Sequence, residues 1–318
     1  MNSSSHSSVS VIICTRNRFE SLHQTLQSMS MLNLDRCSDF ELVVVDNGST
    51  DSTSKIVEEF SRACAFSVIY LWEGGKGLSA ARNAGIGKSR GGLIMFTDDD
   101  CFPEQDWVDK AIGIFSDALP RIVGGRVELY NSDHLPVSVK TQNERETLVS
   151  AGQVFGFLLG ANMAFTRTVI DQVGPFDRRL GAGTATYAAE DTEFVYRAFI
   201  SGLPVTYEPI LLIYHNHGRT DPTDGNRLDR GYAFGGGALL MKSLLAKRTD
   251  LIRPIYWDIC SGLKDWRDGR RNWRWPASKF AFIPGALRYL LEIGFSPRGS
   301  SQSGRTQLGR PDSTRLRR

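Results

Sequence analysis

The sequence predicts an α/β fold with a mostly parallel central sheet and helices on both faces. Apolar, β-branched runs alternate with helical patterns through the first 100 residues, which is typical of repeated strand–helix–strand units. These runs are almost uninterrupted by polar residues, as expected of strands buried on both faces of a parallel sheet. With 318 residues, 41% of them hydrophobic, the chain is long enough for one or two domains with a large core.

Four strands are predicted in the first 100 residues, with a helix between each strand and the next. The strands are residues 8–14, 40–45, 66–72 and 91–100. The helices are residues 15–29, 52–64 and 77–89. In an open parallel sheet, ligands bind beyond the carboxyl ends of the strands. The polar residues that follow these strands are therefore predicted to share one rim of the sheet and to form the functional site.

The pattern becomes irregular after residue 100. Further strands are predicted at 121–130 and 203–215, and further helices at 188–202 and 231–250. A basic and aromatic stretch (263–275) then precedes an apolar stretch (280–295) that Pro284 is expected to break. Residues 298–318 are rich in Ser, Gly and Arg and are predicted to be disordered.

Charge is distributed unevenly along the chain. The formal net charge is +3, but residues 1–241 carry a net −8 and residues 242–318 a net +11. The two parts are therefore expected to meet different partners. Basic and tryptophan-rich sequence beside an apolar stretch is typical of a segment at an anionic membrane surface, which we predict for residues 242–297. The alternative is an ordinary helical extension that packs on the body of the protein.

Nothing in the sequence indicates export or a membrane span. The N-terminus, "MNSSSHSSVS", lacks the basic start and apolar core of a signal peptide, and no run of about 18 apolar residues occurs. The five cysteines are odd in number and far apart, which favours reduced thiols over disulfides or a zinc site. We expect a cytoplasmic protein, with a peripheral position at the inner face of the cell membrane if the basic section binds lipid.

Three consecutive carboxylates, Asp98, Asp99 and Asp100, end the fourth strand. Carboxylates at positions i and i+2 of a strand end can bind one hard divalent cation through oxygen. Mg²⁺ or Mn²⁺ then usually completes its shell with water and substrate phosphates. A solvated acidic turn is the alternative, but the position after an apolar strand on the shared rim favours the metal site.

Two further features on this rim indicate a nucleotide. Asp46 follows the second strand, where a carboxylate can accept hydrogen bonds from a nucleobase or ribose; a helix cap is its alternative role. The segment "GGKGLSAARNAG" places backbone amides and a helix N-terminus near Lys76 and Arg82, which suits phosphate. It lacks the glycine spacings of dinucleotide-binding and P-loop motifs.

An acidic pair and a histidine complete the set of candidate residues. Glu190 and Asp191 begin a helix, where acids are often only partners of the helix dipole, but Asp191 could equally be a general base. His215 ends an apolar strand and could be structural or a metal ligand. Together the candidates describe a site for a nucleotide diphosphate, a divalent metal and a second substrate that faces a base.

On these motifs the chain resembles the inverting family 2 glycosyltransferases of the GT-A fold, whose mostly parallel sheet is Rossmann-like. The matching segments are, in order, "VSVIICTRNR", "VVVDNGSTD", "KGLSAARNAG", "IMFTDDDCFP", "LLGANMAFTR" and "AAEDTEFVYRA". They cover roughly residues 8–220. One departure is Cys14, where the family often has proline; it removes no required chemistry.

The resemblance implies a role for each candidate. The metal ligands for Mg²⁺ or Mn²⁺ would be Asp98, Asp100 and His215. The nucleotide would contact Thr15, Arg16, Arg18, Asp46, Lys76, Arg82, Asp98 and Asp99. Asp191 would be the catalytic base, supported by Glu190, and Asn162 would lie on the acceptor side.

The resemblance also implies an activity and a domain plan. The chain would transfer a sugar, with inversion, from a nucleotide-diphosphate donor such as a UDP-sugar to a saccharide or lipid-linked saccharide, in cell-surface polysaccharide or glycolipid assembly. Residues 1–225 would form the GT-A domain, with a nucleotide half (1–100) and an acceptor half (101–225), and residues 226–297 a helical extension.

Two other functions agree less well with the sequence. A sugar-phosphate nucleotidyltransferase would favour a glycine-rich loop after the first strand, where this chain has "CTRNR". Nucleic-acid binding is suggested only by the arginine-rich tail, and the acidic body argues against it.

Overall fold

A computed structural model of the chain describes residues 8–117, 119–267 and 280–294. The tail predicted to be disordered (298–318) lies outside the described residues, as does most of the basic and aromatic stretch. Within the described ranges, no helix has both the length and the apolar character needed to span a bilayer.

The first 100 residues form the predicted strands and helices. The strands are β1 (Ser8–Thr15), β2 (Asp39–Asp46), β3 (Ser67–Trp72) and β4 (Leu93–Asp98). The helices are α1 (Phe19–Met29), α2 (Thr53–Ala63) and α3 (Leu78–Lys88). The three strand pairs β1–β2, β2–β3 and β1–β4 are parallel, as the apolar runs predicted.

The following 120 residues add shorter elements, most of which the sequence did not predict. These are β5 (Cys101–Pro103), α4 (Trp107–Ile114), β6 (Ile122–Leu129), β7 (Glu146–Thr147), β8 (Met163–Thr166), α5 (Thr168–Val173), α6 (Glu190–Ile200) and β9 (Val205–His215). Only β6, α6 and β9 were predicted. The others span two to eight residues, too short for a clear hydrophobic period.

One sheet joins the two halves of the domain. In the described part of the chain its order is β3-β2-β1-β4-β8-β6-β9-β5, with β7 beside β9. The antiparallel strand β8 pairs with β4 on one side and with β6 on the other. Side chains alternate between two cores, so that Ile12 packs on one face of β1 while Val11 and Ile13 pack on the other. This confirms an α/β fold with a mostly parallel sheet.

Three helices follow the sheet, namely α7 (Pro222–Leu245), α8 (Ile252–Arg267) and α9 (Phe282–Gly294). Asp221 caps α7 by accepting a hydrogen bond from the Thr223 N–H, and the helix begins at Pro222. The domain boundary predicted at residue 225 therefore falls within this helix. The break expected at Pro284 is wrong. Pro284 lies in the first turn of α9, where the missing N–H has no intrahelical partner to lose.

Candidate active site

A cavity of about 550 Å³ opens at the carboxyl ends of β1 and β4. The parallel register pairs Thr15 with Asp46 and Cys14 with Asp98, so three strand ends reach the same rim. Ten of the thirteen predicted site residues line this cleft; they are Thr15, Arg16, Arg18, Arg82, Asp98, Asp99, Asp100, Glu190, Asp191 and His215. The structure therefore brings together residues that are up to 200 positions apart in the sequence.

The middle aspartate is held by side chains of β1 and of the segment before α1. Asp99 is 4% exposed, accepts a hydrogen bond from Thr15 Oγ1 (2.7 Å) and pairs with Arg18 Nη1 (2.9 Å). Burial, opposed by Arg18 and reinforced by the charge of Asp100, raises the pKa of Asp99 to about 7. These contacts tie the end of β4 to β1 and to the loop before α1, which makes Asp99 a positioning residue.

Asp100 and His215 form the other side of the acidic cluster. Asp100 Oδ1 lies 3.2 Å from His215 Nε2, and Asp100 Oδ2 lies 2.7 Å from Arg18 Nη2. Burial opposes ionisation of Asp100, but His215 and Arg18 outweigh it and hold its pKa well below the usual range. Burial likewise disfavours the imidazolium of His215, yet the Asp100 carboxylate raises its pKa.

This donor set fits a divalent cation. The carboxylate of Asp100 and the imidazole of His215 belong to a group of potential ligand atoms that lie within 4.8 Å of one another, and Asp98 presents a side chain that is 37% exposed to the cleft. Carboxylate oxygen with imidazole nitrogen suits Mn²⁺ or Mg²⁺. Cys101 completes the group geometrically, but burial raises its pKa well above the ordinary value, so its thiol stays protonated and is a poor ligand.

Arg82 links the metal-side carboxylates to the acidic pair. Its guanidinium is almost fully buried, lies 2.9 Å from Glu190 Oε1 and 4.0 Å from Asp98 Oδ1, and lies over the rings of Phe96 and Phe176 at 5.4 and 5.5 Å. Both polar and aromatic partners thus fix its position. The structure gives Arg82 a bridging role at the wall of the cleft, and its nucleotide contact stays a prediction.

The start of α6 separates the roles of the two acids. Ala189 precedes the pair with φ 77°, a left-handed conformation that is strained for a residue with a Cβ. Glu190 is 6% exposed, and burial together with the charge of Asp191 raises its pKa despite Arg82. Asp191 is less buried, and its Oδ2 accepts a hydrogen bond from the Gly160 N–H at 2.9 Å. Asp191 is therefore the accessible carboxylate, and Glu190 its buried neighbour.

Three predicted residues do not line the cleft, namely Lys76, Asp46 and Asn162. Lys76 is exposed on the 73–77 loop, away from the cavity lining. Asp46 is buried, and its two oxygens accept hydrogen bonds from the Ser49 N–H and the Tyr70 hydroxyl, both at 2.7 Å. Its nucleobase contact stays a prediction.

The acceptor contact predicted for Asn162 needs correction. Asn162 is 2% exposed; its Nδ2 donates to the carbonyls of Arg126 and Leu211, and its Oδ1 accepts from Trp107 Nε1. Both N–H groups of the Asn162 amide and its oxygen are thus hydrogen-bonded within the core. These bonds hold β6, β9 and α4 together.

Three residues that the sequence did not single out also line the cleft. Arg219 follows β9, and Tyr187 and Tyr232 lie before α6 and within α7. Arg219 could have been predicted, because it lies four residues after His215, in the loop that follows the carboxyl end of β9. Tyr187 had a similar signal in its place four residues before Asp191. Tyr232 had none, because nothing in the sequence shows that α7 returns to the cleft.

Comparison with known proteins identifies the family. The sequence model described as "Glycosyl transferase family 2" matches residues 10–174, more than half of the chain. The chain is 29% identical over 213 residues to Glycosyltransferase AglE of Haloferax volcanii, a match that covers 63% of this chain and 64% of the relative. This chain therefore spans less than two thirds of that relative's length.

Solved structures with a similar fold include two that contain a nucleotide sugar. The mannosyltransferase PcManGT from Pyrobaculum calidifontis, in complex with GDP-Man and Mn²⁺, superposes with a TM-score of 0.56 at 17% identity, over 89% of this chain and 87% of that one. S. aureus TarS 1-349, in complex with UDP-GlcNAc, superposes with a TM-score of 0.52 at 19% identity, over 74% of this chain and 71% of that one. These likenesses support the GT-A fold, and the match of the family model shows that the chain belongs to glycosyl transferase family 2.

Proposed function

We propose that the chain transfers a sugar from a nucleotide-diphosphate donor to an acceptor hydroxyl, with inversion at the anomeric carbon and with help from a divalent metal. One observation carries the proposal. On a family 2 domain, a single cleft holds the pair Asp100–His215, the open carboxylate of Asp98 and the accessible carboxylate of Asp191.

The charged side of the cleft would bind the donor's diphosphate. Asp98, Asp100 and His215 would hold Mg²⁺ or Mn²⁺, which supplies Lewis-acid stabilisation of the departing diphosphate. Arg16 and Arg219 line the same cleft, and guanidinium groups bind phosphate oxygens in pairs. These cations would stabilise the negative charge that develops as the glycosidic bond breaks.

Asp191 would remove the proton from the acceptor hydroxyl as that oxygen attacks the anomeric carbon from the face opposite the diphosphate. Attack from this face gives inversion without a covalent intermediate on the protein. The hydrogen bonds from the Gly160 N–H to Asp191 Oδ2 and from the Thr192 N–H and hydroxyl to Oδ1 would fix the carboxylate. Oδ2, with a single donor, would keep a lone pair for the acceptor proton. Such a base typically contributes about 10²–10⁴-fold in rate.

The metal site has a direct test in nucleotide binding. Asp100→Ala is expected to abolish the Mn²⁺-dependent part of the affinity for UDP or GDP, measured by calorimetry with Mn²⁺ and again with EDTA. Asp133→Ala, on an exposed loop, is the matched control and should bind as the wild type does. Equal affinities of Asp100→Ala and wild type under both conditions would remove Asp100 from the metal site.

The identity of the donor and the type of reaction can be tested together. TarS and PcManGT were solved with a UDP-sugar and a GDP-sugar respectively; we propose a UDP-sugar here. A thermal-shift panel of UDP- and GDP-sugars with Mn²⁺ tests this choice. Release of nucleoside diphosphate supports glycosyl transfer, whereas release of pyrophosphate from a nucleoside triphosphate and a sugar phosphate would favour the nucleotidyltransferase alternative.

We further propose that the chain works in cell-surface polysaccharide or glycolipid assembly, bound peripherally to anionic lipid on the cytoplasmic side of the membrane. Helix α9 buries Phe282 and Tyr289 against the protein but leaves Ile283 and Leu287 63% and 57% exposed. The surrounding residues 242–318 carry a net +11, and basic segments are attracted to the anionic cytoplasmic leaflet. Sedimentation of the full chain with phosphatidylglycerol vesicles tests this proposal.

A further inference from the structure

Two exposed aromatic side chains line the cleft together with its charged groups. Tyr187 is 60% exposed and Tyr232 is 47% exposed, and both line the cavity. The same cavity is lined by Arg18 and by the three aspartates at the carboxyl end of β4 and just after it. Large aromatic surface left open inside a concave site usually marks the position of a ligand.

The position of Tyr187 is fixed by its backbone and by α7. Its φ is 66°, a strained conformation of the kind that concentrates at functional sites. Its ring packs edge-on against Phe234, with centroids 5.2 Å apart, and its Cβ lies 3.9 Å from where a Cβ on Gly231 would be. A half-exposed ring held in this way, four residues before Asp191, is rigid enough to orient a substrate.

Tyr232 is connected through Ser138 to His215, one of the predicted metal ligands. Its hydroxyl lies 2.8 Å from Ser138 Oγ, and the Ser138 carbonyl lies 3.3 Å from His215 Nδ1. Ser138 has a φ of 53°, so it is a third residue of this region in the left-handed conformation, after Tyr187 and Ala189. Burial of the hydroxyl, reinforced by the charge of Asp191, raises the pKa of Tyr232 to about 12, so it stays protonated at neutral pH.

We propose that Tyr187 and Tyr232 form the acceptor subsite and bind a sugar ring of the acceptor beside Asp191. A pyranose presents a face of C–H groups that packs on an aromatic ring, while the hydroxyl groups at its edge remain free for hydrogen bonds. Bound there, the ring would place one hydroxyl within reach of the Asp191 carboxylate. The proposal rests on the proposed glycosyl transfer, and it assigns to these tyrosines the role that Asn162 cannot fill.

The test is direct binding of simple sugars to the full chain. Saturation-transfer NMR with methyl glycosides of glucose, galactose, mannose and N-acetylglucosamine is run in the presence of UDP and Mn²⁺. We expect transfer to the ring C–H protons of at least one glycoside with wild type, a loss of about tenfold in affinity with Tyr187→Ala, and retention with Tyr187→Phe, which keeps the ring.

The matched control is Tyr130→Ala. Tyr130 is 61% exposed and packs edge-on against Phe102 at 4.8 Å, but it does not line the cleft, so its variant should bind glycosides as the wild type does. UDP affinity in each variant reports whether the fold is intact. Absence of transfer to every glycoside with wild type, or equal affinity in Tyr187→Ala, overturns the subsite. Failure of the glycosyl transfer itself would show separately, as no release of nucleoside diphosphate from any donor.

Discussion

Asp191 and Glu190 are adjacent in the sequence but differ in what surrounds them. Glu190 is buried against Arg82, with Oε1 2.9 Å from the guanidinium, whereas Asp191 is partly exposed and faces the cleft. A buried, paired carboxylate is poorly placed to take a proton from a substrate, and an accessible one is well placed. These surroundings agree with the roles that the family resemblance implies, with Asp191 as the base and Glu190 as its support, and both roles stay predictions.

Asp191→Asn is expected to lower transfer by about 10²–10⁴-fold while UDP affinity stays unchanged. The amide oxygen can still accept the hydrogen bond from the Gly160 N–H, but the amide nitrogen cannot accept the one that the Thr192 N–H now donates to Oδ1. The UDP affinity therefore reports whether the site keeps its geometry. Nucleoside diphosphate release with an acceptor measures the first effect, and calorimetry the second. Asp171→Asn, exposed on α5, should behave as wild type. Transfer by Asp191→Asn at the wild-type rate would exclude Asp191 as the base.

Glu190 should make the stability of the protein depend on pH. Its folded-state pKa is raised above the ordinary value of 4.5, because burial and then Asp191 disfavour the ionised form more than Arg82 favours it. The folded state therefore keeps a proton that the unfolded chain releases. The resulting stability is full below pH 4.5 and is lost as the pH rises through the folded-state pKa.

The variant that tests this effect is Glu190→Gln, which cannot ionise. Its free energy of unfolding, measured with urea at several pH values, should fall less steeply with pH than that of wild type above pH 4.5. Glu58→Gln, on the exposed face of α2 beside Arg62, should keep the wild-type slope. Parallel curves for Glu190→Gln and wild type would contradict the raised pKa.

At the scale of elements, α7 and α9 depend on glycine for their close approach. A Cβ on Gly237 would lie 1.9 Å from the carbonyl oxygen of Phe282, and a Cβ on Gly285 would lie 1.9 Å from that of Phe234. Both contacts are with backbone atoms, which cannot move aside as a side chain would. The two helices therefore pack with their backbones in direct contact.

Gly237→Ala is expected to destabilise the protein by about 1–3 kcal/mol, the usual cost of overpacking, although alanine favours a helix by about 1 kcal/mol. Gly231→Ala in the same helix is the control, because its Cβ would meet only Tyr187 at 3.9 Å. That change should stabilise the protein by about 0.5–1 kcal/mol. Urea unfolding of both variants gives the comparison, and equal effects of the two changes would rule out the close contact.

The sequence predicted the elements of the first 100 residues well and the short elements that follow them poorly. β1 to β4 have uninterrupted apolar runs of which most residues are buried, except that β3 at the sheet edge is half exposed. β8 has only four residues, and its antiparallel pairing with β4 and β6 depends on chain reversal that no local pattern encodes. The helix predicted at 231–250 begins nine residues earlier, at Pro222, where Asp221 is the cap and Pro222 the first helical residue.

Most of the predicted site residues do line the cleft, because they follow long strands whose positions the sequence predicts. Residues that follow long strands, such as Asp98 and His215, could be placed on one rim because parallel strands end together. Residues 158–161 line the cleft, but the Asn162 side chain is buried in the core, where its Oδ1 accepts a hydrogen bond from Trp107 Nε1 at 3.0 Å; no sequence pattern shows this orientation. Tyr232 was not predicted because α7 reaches the cleft only through its packing in three dimensions.

At the scale of the whole molecule, α7 stands between the cleft and the surface proposed to bind lipid. Tyr232 and Gly236 of α7 line the cleft, while Gly237 contacts α9. The outer face of α9 carries Ile283, Leu287 and Leu291, which are 63%, 57% and 50% exposed and recur at four-residue spacing. An acceptor held in the lipid would therefore meet the cleft one helix away from the membrane surface.

Replacing Ile283 and Leu287 together by Glu is expected to lower binding to phosphatidylglycerol vesicles at least tenfold, because it removes apolar area and adds charge that anionic lipid repels. Both side chains are exposed, so the fold should be retained. The control, Met31→Glu with Ile210→Glu, alters side chains that are 57% and 52% exposed elsewhere and should bind vesicles as wild type does. Wild-type binding should also weaken in high salt and on phosphatidylcholine vesicles. Equal sedimentation of wild type and the α9 variant with anionic vesicles would exclude this face of α9 as the lipid-binding surface.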